Sequence, residues 1–477
     1  MPRRKIRVTG APEAPLRAAL AALRSELGIP EEFPPEVREE AERAARAPTA
    51  PSYDATDIPF FTLDPPGSLD LDQAAHLSRR SSGHRVRYAI ADVPAFVAPG
   101  GALDAEAHRR VNTLYFPDGR VPLHPAVLSE GAASLLPDRI RPAVLWTFDL
   151  DADGRCTAVD VRRALVRSRA RLDYAGVQRQ IDTGTAEEPV ALLKEIGEAR
   201  ERLEVERGGI SLNVPEQEIT AQDHTYVLGY RAPLPADGWN AQLSLLTGMA
   251  AAELMIAHGT GILRTLPAAP DGAVARLRRT ATALHIDWPH HVSYATLIRS
   301  LDPTDPRHAA FLQECTTLLR GAGYTVFRDG VLPAITTHAA VAAPYTHCTA
   351  PLRRLADRYA AEICLAAVAG QAPPDWVLGA LAALPRQMAD GARIAGTVER
   401  ECIDLVEAAL LKDRIGDVFE ACVVDVEERQ PTVGTVQLIA PAVIGRIEGD
   451  DLPLGERLRV RLVRAEPGAS KILFTAA

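Results

Sequence analysis

The chain has no C-x-x-C pair; its six cysteines (Cys156, Cys315, Cys348, Cys364, Cys402 and Cys422) are scattered along 477 residues. That excludes a zinc ribbon and a disulfide framework, fits the reduced thiols of a cytosolic enzyme, and leaves hard oxygen ligands for any metal. Lysine is nearly missing, at positions 5, 194, 412 and 471 only, so almost all positive charge is arginine. Arginine is the better fork for phosphate, although a compositional bias of the coding sequence accounts for the same skew. Nor is positive charge in excess. A net charge of −9 argues against coating nucleic acid through bulk electrostatics, and leaves room for a basic channel inside an acidic shell. No apolar run reaches the roughly 18 residues that span a bilayer. The basic start, Met1-Pro2-Arg3-Arg4-Lys5-Ile6-Arg7, leads into an amphipathic segment, not into the apolar stretch of a signal peptide. A cytoplasmic monomer without a membrane partner is the expectation.

What remains is the composition of an ordinary globular protein, 47% hydrophobic and 24% charged, long enough for two to three domains. Residues 1–52 form a separate helical unit: Leu16, Leu20, Leu23 and Leu27 repeat at helical spacing, as do Val37, Ala41, Ala44 and Ala45. Pro30, Pro34 and Pro35 punctuate the two runs, which suits a helical hairpin or a helix-turn-helix, and Ala47 to Ser52 reads as a linker. From 53 to 412 strand-like and helical patterns alternate. Val86 to Val93 and Ala143 to Leu150 read as strands, the second ending in the turn Asp151-Ala152-Asp153-Gly154. Trp239 to Leu263, Ala309 to Ala322, Ala356 to Ala369 and Leu378 to Leu411 read as helices, giving an α+β domain with antiparallel sheets. Residues 413–477 change character. Phe419 to Val426, Gly434 to Ile439, Val443 to Ile447, Arg457 to Val463 and Ile472 to Thr475 are five short strands, the plan of a small OB barrel. Arg457, Arg459 and Arg461 alternate, so all three project from one face, as a track for phosphates or simply as a solvated strand face.

Three segments carry chemistry. Phe61-Thr62-Leu63-Asp64-Pro65-Pro66-Gly67-Ser68-Leu69-Asp70-Leu71-Asp72-Gln73 packs three carboxylates into a stretch stiffened by two prolines, where Gly67 admits a positive φ. Asp70 and Asp72 point to one side of an extended chain, and Asp64 can join them if the loop folds back. Such carboxylates suit Mg²⁺ or Mn²⁺ in phosphodiester hydrolysis; a solvated acidic turn has the same spacing. In Tyr345-Thr346-His347-Cys348-Thr349-Ala350-Pro351-Leu352-Arg353-Arg354-Leu355-Ala356-Asp357, Thr349 is placed to cap a helix with Pro351 in its first turn. Adjacent arginines cannot share a helix face, so one meets phosphate (Arg353 is the choice) and the other a structural carboxylate. His347 has no second histidine near it and reads as a packing or hydrogen-bonding residue. The third segment, Val111-Asn112-Thr113-Leu114-Tyr115-Phe116-Pro117-Asp118-Gly119-Arg120-Val121-Pro122-Leu123-His124-Pro125, reads alone as strand, turn and loop.

Together the three resemble the RNase II (RNB) family of exoribonucleases, in order and spacing over roughly residues 54 to 412. Ile90-Ala91-Asp92-Val93 and Ser168-Arg169-Ala170-Arg171-Leu172-Asp173-Tyr174 add to the likeness, and the terminal barrel resembles that family's OB-type RNA-binding domain. The resemblance implies an Mg²⁺-dependent hydrolytic exonuclease, with Mn²⁺ as a substitute, running 3′→5′ on single-stranded RNA and releasing nucleoside 5′-monophosphates. It makes Asp64, Asp70 and Asp72 metal ligands, with Asp72 the most critical for the chemistry. It gives Arg353 the scissile phosphate; Arg354 beside it is a further candidate for RNA contact, in competition with the structural carboxylate. Tyr115 becomes a stacking platform near the 3′ end, and Tyr174 a residue that helps set product length.

The chain departs from the family pattern in three places. The pattern ends its acidic cluster with two adjacent aspartates, whereas the second position here is Gln73, whose amide oxygen can ligate a cation but brings no charge. One weakened metal site is expected. In Trp239-Asn240-Ala241-Gln242-Leu243, Gln242 stands as the replacement of another acid. The helical start replaces the cold-shock-type domains with which such enzymes usually open. The competing readings are a catalytically silent RNA-binding protein that lost its metal through Gln73 and Gln242, and a phosphoesterase of small molecules, which leaves the barrel and Tyr115 without purpose.

Overall fold

The structure, a computed structural model, describes residues 7–9, 14–212, 216–222, 225–231, 233–270, 272–302, 305–319, 321–427, 429–439, 443–466 and 472–477. The basic residues 3–5 of the start and Lys471 lie outside them.

Period-two patterning builds the centre of the molecule. Strands Phe60–Leu63, Gln73–Arg79, His84–Ala91, Ile140–Leu150 and Cys156–Leu172 close into a five-stranded barrel. Neighbours are antiparallel except for Phe60–Leu63, which lies parallel to Cys156–Leu172 and completes the ring. The alternation sends Val86, Tyr88, Ile90, Val144, Trp146 and Phe148 into one hydrophobic cluster, together with residues of the helices Glu188–Glu206, Pro235–His258 and Leu355–Val368. Ala89, Ala91, Ala143 and Leu145 join a second cluster with Phe96, Leu103 and Leu128. These strands are therefore buried on both faces, which a one-sided sheet reading of the same pattern does not anticipate.

The helix Pro235–His258 is the buried axis beside this barrel, with Trp239, Leu243, Leu246, Ala250 and Met255 in the core. It stops five residues before the expected Leu263: the backbone takes φ +81° at Gly259, and Gly261–Thr265 becomes a strand paired with Gly323–Phe327. The expected Leu378 to Leu411 helix is two, Asp375–Ala380 and the long Leu384–Leu411. Thr349 caps nothing. The helix after it starts at Leu355, because residues 351–353 form a turn first, and Arg354 is its N-cap without a side-chain capping bond.

The five expected C-terminal strands are present as Val418–Val426, Val433–Leu438, Ile444–Glu448, Arg457–Arg464 and Leu473–Ala476. They close a second barrel, again with one parallel pair, Ile444–Glu448 beside Leu473–Ala476. The N-terminal helices belong to different cores. Leu16, Leu20 and Leu23 of Ala14–Glu26 join the cluster of the second barrel and Leu384–Leu411, whereas Val37 and Ala41 of Pro35–Arg46 pack with the first barrel. Among the described residues no helix is long and apolar enough to cross a membrane. All six cysteines are free thiols, and only Cys156 is exposed.

Candidate active site

Asp64 follows the strand Phe60–Leu63, and its backbone N–H bonds the Leu172 carbonyl at 3.2 Å. The chain then turns through Pro65–Ser68, with φ +81° at Gly67, and returns in extended form to Gln73. Asp70 and Asp72 hang from this return. Asp70 accepts from Arg120 Nη1 at 2.5 Å and lies 3.4 Å from the Tyr115 hydroxyl. Asp72, 3% exposed, accepts from the Leu352 N–H at 2.8 Å and from Arg353 Nε at 3.0 Å. Burial raises its pKa to about 7; the Arg353 guanidinium and the Leu352 N–H pull it down, and the charges of Asp70 and Asp357 push it up.

Two further elements converge here. The turn carrying Arg353 is pinned through its backbone: Thr113 N–H donates to the Arg353 carbonyl at 3.0 Å and Leu355 N–H to the Val111 carbonyl at 2.9 Å. Arg354 turns to Asp357, with bonds of 2.5 and 2.7 Å, and is thereby the arginine that takes the structural carboxylate. The hairpin Leu114–Phe116 and Gly119–Val121 pairs Tyr115 with Arg120 across the strands, which puts both on the face toward Asp70. Arg120 also holds Glu130 at 2.7 Å. Arg353 and Tyr115 stay open to solvent, at 42% and 46% exposed, although both lie deep enough for burial to act on their titration. Burial alone would lower the Arg353 pKa, and the facing Asp72 more than reverses this. Burial pushes the Tyr115 hydroxyl up to about 12. Both exposed side chains thus stand beside the carboxylates Asp70 and Asp72, of which Asp72 is buried.

Tyr174 opens the helix Tyr174–Asp182 and takes a 3.3 Å bond from Asn240 Nδ2; the charges of Asp64 and Arg353 both act on its hydroxyl. His347 bonds the Tyr324 hydroxyl at 2.5 Å, the packing role its isolation suggested. Arg457, Arg459 and Arg461 are exposed on one strand of the second barrel, with the Arg461 guanidinium donating to the Gly416 carbonyl at 2.9 Å.

Among the described residues, no group of three or more His, Cys, Asp or Glu side chains is drawn together tightly enough to hold a metal ion. Asp70 pairs with Arg120 and Asp72 with Arg353. The Gln73 amide is engaged elsewhere, its oxygen accepting from Tyr88 and Ser244 and its nitrogen donating to the Thr349 carbonyl. Gln242 is buried away from these acids, its Nε2 2.7 Å from Glu204. The side chains of that helix that do reach the site are Asn240 and Ser244. They lie four apart, and so on one face of the helix, two positions either side of Gln242. Gly248, a further turn along, lets the helix touch the Tyr345–Thr346 backbone: a Cβ there would lie 2.5 Å from the Thr346 carbonyl oxygen and would strike the Tyr345 ring.

A hard divalent cation still fits the donors. Asp70 and Asp72 are hard carboxylates on one short return of the chain, and Mg²⁺ is commonly held by one or two carboxylates plus water and phosphate.

The family model described as RNB domain matches residues 52–370, and that of the RNase II-type exonuclease C-terminal S1 domain matches residues 417–477. Ribonuclease R of Escherichia coli is 25% identical over 496 residues, covering 94% of this chain and 59% of that protein. The fold is similar to Mycoplasma genitalium RNase R, solved in complex with ribose-methylated single-stranded RNA, with a TM-score of 0.84 at 19% identity over 97% of this chain and 78% of that one. It is also similar to yeast Ssd1, described as a pseudonuclease, with a TM-score of 0.68 at 16% identity over 86% and 51% of the two chains. The chain spans between 33% and 59% of the length of the first curated relatives it matches.

Proposed function

The chain belongs to the RNB family, and from that premise we propose that it is a hydrolytic 3′→5′ exoribonuclease acting on single-stranded RNA and releasing nucleoside 5′-monophosphates. The observation that carries this reading is Arg353, a permanently charged fork that is 42% exposed and aligned by a carboxylate 3.0 Å away. A guanidinium so placed receives a phosphate group bidentately and neutralises the charge that builds on it during displacement. Tyr115, also open to solvent, offers a ring on which any base can stack, as a degradative enzyme requires. Tyr174, under the same field as Arg353, is read as the residue where the threaded end stops. The arginines at 457, 459 and 461 are read as a backbone track that gathers RNA without reading its sequence.

Mg²⁺, with Mn²⁺ as a substitute, is the proposed cofactor, held by Asp70 and Asp72 with Asp64 close by. Bound there it would polarise the phosphoryl group and lower the pKa of the attacking water. Asp72 positions Arg353 through its second oxygen. Arg120, which pairs with Asp70 in this structure, would stand beside a cation held there.

Incubation of 5′-labelled single-stranded RNA with the protein and Mg²⁺ tests the reading. A ladder shortening from the 3′ end with nucleoside 5′-monophosphates as product is expected, and EDTA abolishes it. RNA bound but left at full length rejects the enzyme in favour of a silent RNA-binding protein, the reading that Gln73 would then support.

A further inference from the structure

Gln73 is the residue of the acidic segment whose partners lie on three other elements. Its Nε2 donates to the carbonyl of Thr349, 276 residues along the chain, at 2.6 Å. Its Oε1 accepts from the hydroxyl of Tyr88, on the neighbouring strand, and from Ser244 Oγ at 3.4 Å, on the helix Pro235–His258. Tyr88 and Ser244 are themselves 3.1 Å apart. The sheet register makes the first contact possible, because Tyr88 pairs with Ala75 and so lies diagonal to Gln73 on one face. The orientation of the amide is forced. A carbonyl only accepts, so the group facing Thr349 must be the NH₂, which leaves the oxygen for the two hydroxyls. Tyr88 is 1% exposed, and burial pushes its pKa up, so it remains a donor.

We propose that Gln73 is a positioning residue: a neutral clamp that ties the acidic strand to the turn Thr349–Leu355, and so holds Arg353 in line with Asp72. Further along, the turn is held by Leu352, whose N–H reaches Asp72 and whose side chain is buried with Phe60, Leu71 and Ala89, and by the backbone bonds to Thr113 and Val111; Gln73 ties its first residue, Thr349. A carboxylate at position 73 cannot serve this role. It accepts from Tyr88 and Ser244 as well as the amide does, but it sets an anionic oxygen against the Thr349 carbonyl, leaving both without a donor. Aspartate is also one methylene too short to span the same gap. The uncharged residue is thus a requirement of the way this site is assembled, not a metal ligand that has lost its charge. The proposal rests on reading Arg353 as the phosphate receptor.

The test compares the full chain with Gln73→Glu, Gln73→Asp and Tyr88→Phe, using amide hydrogen exchange without metal and calorimetric titration with Mn²⁺ alone. Gln73→Glu is expected to speed exchange across Ala350–Leu355 by about tenfold, and Tyr88→Phe by less, because it removes one bond to the clamp but keeps the ring. Neither carboxylate variant is expected to bind Mn²⁺ more tightly, and both degrade RNA more slowly. Carboxylate variants that bind Mn²⁺ about tenfold tighter, with exchange in the turn unchanged, would overturn the clamp and make position 73 a ligand site short of charge. Failure of the wild-type chain to shorten RNA sinks the exonuclease reading alone, since exchange still decides the clamp.

Discussion

The two five-stranded barrels of this chain are alike in plan and different in surroundings. Each is closed by one parallel pair, yet the strands differ in how they meet solvent. In the first, Ile140–Leu150 and His84–Ala91 are buried on both faces over most of their length. In the second, Arg457–Arg464 alternates in the manner of a strand with one face in water. The first barrel is wrapped by helices and by the turn that carries Arg353, whereas Arg457, Arg459 and Arg461 on the second are exposed among the described residues. Chemistry therefore depends on what is packed upon a barrel, and the barrel itself is only a frame.

The largest expected effect separates the two most sharply. Arg353→Ala removes the exposed cation beside Asp72 and is expected to lower RNA turnover by about 10²–10³-fold, with RNA affinity less affected, in single-turnover assays. A comparable loss from changing the second barrel alone would break the division of labour. Gly248→Ala tests the packing of its helix against the Tyr345–Thr346 backbone. A methyl group there meets the Thr346 carbonyl and the Tyr345 ring, so a stability loss of about 2–3 kcal/mol in urea unfolding is expected, together with slower turnover.

Asp72→Asn probes the cost of burying an acid beside other acids. The folded carboxyl titrates at about 7, above its unfolded value, so the folded state holds a proton that the unfolded state has released between these two points. Stability contributed by this group falls as pH rises through that window. In EDTA, Asp72→Asn is expected to match the wild type near pH 4 and to gain on the order of 2 kcal/mol by pH 7, while losing activity. A gap that does not widen with pH would place the strain elsewhere. The smallest effect belongs to the arginine strand. Replacing Arg457, Arg459 and Arg461 together by alanine is expected to reduce the salt slope of RNA binding by about 2, read by fluorescence anisotropy at several salt concentrations. An unchanged slope would remove the track.

The second barrel was legible in the sequence almost to the residue, because its strands alternate and its turns are marked. The first barrel was legible as strands but not as a closed ring, since two-sided burial blurs the period by which a face is recognised. The acidic segment, Arg353 and Tyr115 stood out by spacing and resemblance. Their actual partners did not: Arg120 for Asp70, the Leu352 N–H for Asp72 and Thr349 for Gln73 come from distant parts of the chain. Gln242 shows the same limit from the other side. It sits in the right helix, but two positions along from Asn240 and Ser244 it points to the other side, toward Glu204, while they reach Tyr174 and the Tyr88–Gln73 pair.

The short hairpin that carries Tyr115 has a second face. Leu114, Phe116 and Val121 join the cluster of the C-terminal barrel, the long helix and the first N-terminal helix, and Arg24 lies 4.3 Å over the Phe116 ring while pairing with Asp118 at the hairpin tip. Removing either end of the chain is therefore no clean subtraction. A truncation meant to delete an accessory module also strips the support from beneath the aromatic ring and the arginine above Asp70. Lost turnover in such a trimmed protein would report a tilted hairpin as readily as a missing grip on the substrate.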